Sequence, residues 1–83
     1  QIVFVYLPGP ERFFKNQEDL VKEKVLKIIN ENKIEFVDME EEILKTTNPK
    51  MLFINSHSHY NENGYQYVST TILNKINQIK KKK

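Results

Sequence analysis

Residues 2–7, Ile-Val-Phe-Val-Tyr-Leu, are apolar without a break and rich in β-branched and aromatic side chains. An unbroken run of this kind predicts a strand covered on both faces, as in a parallel sheet. Pro8-Gly9-Pro10 ends it. A polar stretch carrying Arg12, Phe13 and Phe14 follows. Asn16 then suits a helix N-cap, with Glu18 and Asp19 in the first turn, where carboxylates favour the helix dipole. From there to about Asn30 the spacing predicts an amphipathic helix, with Leu20, Val21, Val25, Ile28 and Ile29 on one face and Lys22, Glu23, Lys24 and Lys27 largely off it.

Residues 34–38 read as a second short strand. Strand, helix and strand in that order make a βαβ unit with parallel strands and a right-handed crossover. Residues 39–45 predict a short helix, stopped by Thr46-Thr47-Asn48-Pro49. Residues 51–54 form a brief apolar run, either a short strand or a buried loop anchor. Residues 55–64 are a polar loop. A last helix starts near Asn61, with Tyr65, Val68, Ile72, Leu73, Ile76 and Ile79 on its apolar side. Two parallel strands leave their edges open and need neighbours. The chain therefore reads as the C-terminal portion of an open α/β sheet. Gln1 leads straight into the first strand, so the chain is expected to begin inside a larger protein.

Composition narrows the chemistry. At 83 residues there is room for one small domain at most, and the hydrophobic fraction is 39%. No cysteine is present, which removes disulfides, cysteine metal sites and a thiol nucleophile. The net charge is +2, but four lysines stand at residues 80–83, and without those four the body sums to −2. The domain is accordingly assigned to residues 1–79, with 80–83 as a basic, disordered tail. No basic stripe with interleaved aromatics points to nucleic acid. No apolar run approaches the ~18 residues of a membrane span.

The segment richest in chemistry is His57-Ser58-His59-Tyr60-Asn61-Glu62-Asn63-Gly64-Tyr65. In open α/β sheets ligands bind beyond the carboxyl ends of the strands, and a loop feeding the final helix reaches that crevice. Histidine, with an ordinary pKa of about 6.5, can serve there as a general base. The adjoining helix N-terminus disfavours the imidazolium and keeps the ring neutral. Asn61 can cap the helix and fix the loop. Gly64 lets backbone pack closely.

His59-Tyr60-Asn61-x-x-Gly64-Tyr65, followed by an apolar helix, resembles the last block of the SGNH (GDSL-type) hydrolases. The strand ending in Leu7-Pro8, the amphipathic helix and the strand Phe36-Val37-Asp38 are similar to what precedes that block in the family. The resemblance spans nearly the whole chain. It implies the C-terminal βαβ-plus-helix portion of a flavodoxin-like three-layer αβα sandwich with a parallel sheet. It also implies a serine esterase or O-acyltransferase acting on acyl esters, with carbohydrate as a candidate acceptor and no cofactor or metal. Among the residues present, only His59 matches a catalytic position, as general base and acid. Ser56 stands where the family often has an orienting Asp, and it can hold an imidazole only by a neutral hydrogen bond. The nucleophilic Ser and the oxyanion-hole Gly and Asn are not in this chain. Its partner is then the rest of the parent domain, and alone it is expected to be inactive. The other reading is a non-catalytic interaction module, either a degenerate SGNH-like domain or a small α/β binding protein. Neither reading specifies a compartment.

The remaining polar residues have plainer roles in the sequence. His57 reads as a rim residue, because His-x-His has no third ligand cluster nearby. Ser56 and Ser58 lack the strained elbow of a nucleophile. Asp38 reads as the cap of the short helix, and Glu40, Glu41 and Glu42 as its solvated first turn. Phe13 and Phe14 are assigned to packing, Arg12 to the surface, and Tyr65 to the space between helix and sheet.

Overall fold

The computed structural model describes residues 2–82; Gln1 and the last residue of the expected tail, Lys83, lie outside the described residues. Strand β1 covers Val3–Tyr6 and strand β2 covers Glu35–Asp38. They pair in parallel, with Val3 opposite Glu35 and Tyr6 opposite Asp38, so both strands end at one edge. Helix α2, Leu20–Glu31, makes the crossover between them. A four-residue helix α1, Glu11–Phe14, precedes it, and α3, Met39–Leu44, follows β2 directly. A 3-10 turn at Pro49–Leu52 leads through a loop to the long helix α4, Glu62–Lys81. The protein is thus mixed α/β with a small two-stranded parallel sheet.

The alternation of side chains along the strands divides the two faces of the sheet. Val37 packs with Met39 and Ile43 of α3 and Val68 of α4, and Val3 and Val5 border the same cluster. Phe4 and Phe36 lie beside each other, ring centroids 6.0 Å apart. Lys22 of α2 reaches the ring of Tyr6 and the carboxylate of Asp38. Met39 and Ile43 are the fully buried large side chains among the described residues, and they lie on α3, which follows β2 directly. The core is therefore built where the chain leaves the sheet, close to the carboxyl edge.

Several boundaries differ from the sequence reading for identifiable reasons. Asp19, not Asn16, caps α2, accepting from the Val21 amide at 3.0 Å. Asn16 instead takes the left-handed backbone (φ 51°) that asparagine tolerates better than most residues, and its Oδ1 accepts from Arg12. Residues 51–54 form no full strand: the first two end the 3-10 turn, and Phe53, 4% exposed, anchors the loop and makes one antiparallel bridge to Tyr60. On α4, Val68, Ile72 and Ile79 line the core, as the spacing predicts, but Tyr65 and Leu73 are 55% and 62% exposed. A long helix over a two-stranded sheet meets it along a stripe narrower than its apolar face. The helix also runs through Lys80 and Lys81, into the stretch assigned to a loose tail. Cations in the last turn favour the helix dipole, so the lysines there support the helix.

The contrast between Ile43 and Leu73 is measurable. Ile43→Ala should lower stability by about 2–5 kcal/mol, as buried Ile truncations do. Leu73→Ala should stay within about 0.5 kcal/mol, as an exposed change does. Urea denaturation of the two variants against wild type checks both.

Candidate functional site

The exit of β1 meets the loop that carries His59. Pro8, two residues beyond β1, offers its carbonyl to the Tyr60 hydroxyl, which donates at 2.7 Å. Burial, and then the nearby Tyr65, push the Tyr60 pKa up to about 12, so the phenol remains a donor at any physiological pH. The Tyr60 ring stacks on Phe53 at 4.5 Å between centroids, and Phe13 and Phe14 of α1 close on Phe53 at 5.6 and 6.4 Å. The two phenylalanines after the Pro-Gly-Pro turn thus seat the loop.

Two backbone bonds frame the hairpin. The Ile54 amide donates to the His59 carbonyl at 3.0 Å, and the Asn61 amide donates to the Leu52 carbonyl at 2.9 Å. Asn61 then does what no carboxylate could do. Its Oδ1 accepts from the Gly64 amide at 2.8 Å, capping α4, while its Nδ2 donates to the carbonyls of Met51 at 2.7 Å and Phe53 at 3.2 Å. Only an amide side chain presents both an acceptor and donors. Gly64 is required by space: a Cβ there would collide with the Leu52 carbonyl oxygen and come within 3.1 Å of the Tyr60 Cβ. Asn61 and Gly64 therefore fix the path of this loop into α4.

His59 lies exposed on this frame, at the carboxyl edge of the sheet. Ser56 is half-buried in the loop tip, and the His57 amide donates to Asn55 Oδ1 at 2.9 Å, forming a tight polar turn. Among the described residues no side-chain hydrogen bond joins Ser56 to the His59 ring, and no carboxylate does so either. The hairpin thus offers an imidazole to whatever approaches the edge, with its backbone held and its ring open. No group of three or more His, Asp or Glu side chains among the described residues is arranged to hold a metal ion.

The same edge carries an ionic network that the sequence does not reveal. Glu40, its side chain 13% exposed, pairs with Arg12 Nε and with Lys22 Nζ at 2.6 Å. Lys22 also reaches Asp38 Oδ2 at 2.8 Å, and lies 4.8 Å from the centre of the Tyr6 ring. The Tyr6 hydroxyl donates to Asp19 at 3.0 Å. Asp38 caps α3 through Oδ1, accepting from the Glu40 and Glu41 amides at 3.0 and 3.3 Å. Glu42 meets Lys45 and Lys75. Arg12 is thus no simple surface residue, and Glu40 and Glu42 are not a solvated turn. The partners lie 18 and 28 residues from Glu40 in the chain, so no local spacing signals them. Tyr65, assigned to the helix–sheet gap, instead tilts against Tyr60 at 5.9 Å.

Compared with family models, with curated proteins and with solved structures, the chain matches none. Among the described residues no helix is long and apolar enough to cross a membrane.

Two outcomes follow from this geometry. Helix propensity alone would make Gly64→Ala stabilising by about 1 kcal/mol. The clash with Leu52 reverses the sign, and the variant should lose at least about 1–3 kcal/mol, the usual cost of overpacking, as read by urea denaturation. The second outcome concerns alkaline pH. Burial, and then its bond to Asp19, raise the Tyr6 pKa from 10.0. Burial alone lowers that of Lys22, but its bonds to Asp38 and Glu40 outweigh this and raise it from 10.5. Tyr60 is raised as well. Above pH 10 the folded chain then holds more protons than the unfolded one, so stability falls as pH rises. This contribution is complete below the unfolded values and is lost through the folded ones. The urea midpoint should decline from pH 10 toward 12, and Tyr6→Phe should make the decline shallower.

Proposed function

We propose that this chain is the C-terminal portion of an SGNH-like domain that transfers acyl groups, as a serine esterase or O-acyltransferase, with His59 as the general base. The observation that carries the reading is the exposed His59 on a hairpin tied by Tyr60 to the exit of β1 and by Asn61 and Gly64 to the start of α4. In this reading the block supplies a base in His59, a tether in Tyr60, a helix cap in Asn61 and a close approach at Gly64. In the proposed domain the two strands continue into a parallel sheet covered by helices on both sides, an αβα sandwich, with the nucleophilic Ser and the oxyanion donors supplied by its remaining part.

The chemistry at His59 is a proton relay. The Ser hydroxyl attacks the acyl carbonyl, its proton passes to the imidazole, and the carbonyl oxygen takes the negative charge. Collapse of the tetrahedral intermediate expels the alcohol as the imidazolium returns the proton to it. Water or an acceptor hydroxyl, deprotonated by the same ring, then releases the acyl group. Ser56 occupies the place of an orienting acid, so the ring relies on a dyad or on a carboxylate from the remaining part of the domain. An acyl-ester, with carbohydrate as the acceptor or alcohol portion, is the substrate class of this reading.

A specific observation favours a second reading. Without a bonded Ser56 or carboxylate, the His59 ring lacks the partner that usually fixes its tautomer and steadies its charge. A degenerate SGNH-like module that binds glycans or a protein partner would keep the same frame without catalysis.

The two readings separate in the complete protein that carries this segment. Under the first, His59→Ala should lower ester turnover by more than about 100-fold, the low end of what a positioned base contributes. A serine-directed fluorophosphonate should also label the protein covalently. Unchanged turnover in the variant, or no labelling of the wild type, would leave the binding module in front.

A further inference from the structure

The antiparallel bridge between Phe53 and Tyr60 sorts the hairpin's side chains onto two sides. Successive residues along a strand point in opposite directions. Phe53 is 4% exposed and stacks on Tyr60, so this pair faces inward. The next pair toward the loop tip is Ile54 and His59, joined by the amide of the first and the carbonyl of the second. Their side chains leave on the outer side, and directly opposed residues place their Cβ atoms about 5 Å apart. Ile54 is 62% exposed, an apolar β-branched residue whose backbone is bonded to that of His59. Ile54 is the last residue of the apolar run 51–54, and the loop that follows it, from Asn55 to Ser58, is polar.

We propose that Ile54 is a specificity-determining residue, forming the apolar wall along which the acyl chain of the substrate lies while His59 serves the reacting ester. This rests on the reading of His59 as general base. The substrate class it implies is an ester whose acyl group extends a few carbons beyond the carbonyl, so that its methylenes reach Ile54. A methylene seated in an apolar pocket gains roughly tenfold or more in kcat/KM. A one-sided wall gives less, so butyryl should exceed acetyl by several-fold.

The test compares 4-nitrophenyl acetate and 4-nitrophenyl butyrate as substrates of the complete protein, as wild type, Ile54→Ala, Ile54→Asp and His59→Ala. Fluorophosphonate labelling of each Ile54 variant verifies that its fold and reactive site are intact. The wild type should prefer butyrate. Ile54→Asp should lower the butyrate-to-acetate ratio of kcat/KM by about fivefold or more, with Ile54→Ala between the two, in keeping with the worth of a methylene contact. An unchanged ratio, or equal losses on both esters, together with a collapse of turnover in His59→Ala, would overturn the role of Ile54 and leave the base assignment intact. Full turnover in His59→Ala would overturn both.

Discussion

The backbone of Gly64 lies against the carbonyl of Leu52, closer than any side chain would permit. That approach sets where α4 begins, and hence where the loop before it must go. Asn61 converts the approach into a fixed geometry by bonding across it in both directions, to the Gly64 amide and to the carbonyls of Met51 and Phe53. Net gains from single hydrogen bonds are about 1 kcal/mol, but here they act on one residue and share one frame. Loss of the amide would leave two carbonyls and a helix end without partners together.

From that junction the order of the site propagates in two directions. Tyr60 carries it to the exit of β1 through the Pro8 carbonyl, and Phe53 carries it to α1 through Phe13 and Phe14. Arg12, on the same short helix, continues through Glu40 to Lys22, Asp38 and the end of β2. A four-residue helix has little stability of its own. It persists because its aromatic side faces the hairpin and its cation faces the acidic start of α3. The carboxyl edge of a sheet with only two strands is thereby held from both sides by side chains distant in sequence.

The local features of this arrangement were legible in the sequence. The unbroken apolar run, the breakers at 8–10 and 46–49, Asp38 as a cap and Asn61 at the head of α4 each depend on neighbours within a few residues. Gly64 was legible as a point of close packing, although not the carbonyl it meets. What could not be read depends on tertiary pairing. The ion pairs of Glu40 join three helices. The exposure of Leu73 and Tyr65 reflects how little sheet lies beneath α4, which the period of a helix does not encode. The start of α2 shifted by three residues because Asn16 and Asp19 are both good caps and only the turn after α1 decides between them. His59 as a base came from the resemblance of its block, and the geometry supplies a frame that suits the role.

The most direct measurement is the crystal structure of the complete protein after reaction with an alkyl fluorophosphonate. The account predicts phosphonylation of a Ser at the carboxyl edge of the sheet, with a His59 ring nitrogen within about 3.2 Å of the modified oxygen, hydrogen-bond reach for a working base. A phosphonate at another histidine's side, or a His59 ring turned to solvent well beyond that reach, would contradict it.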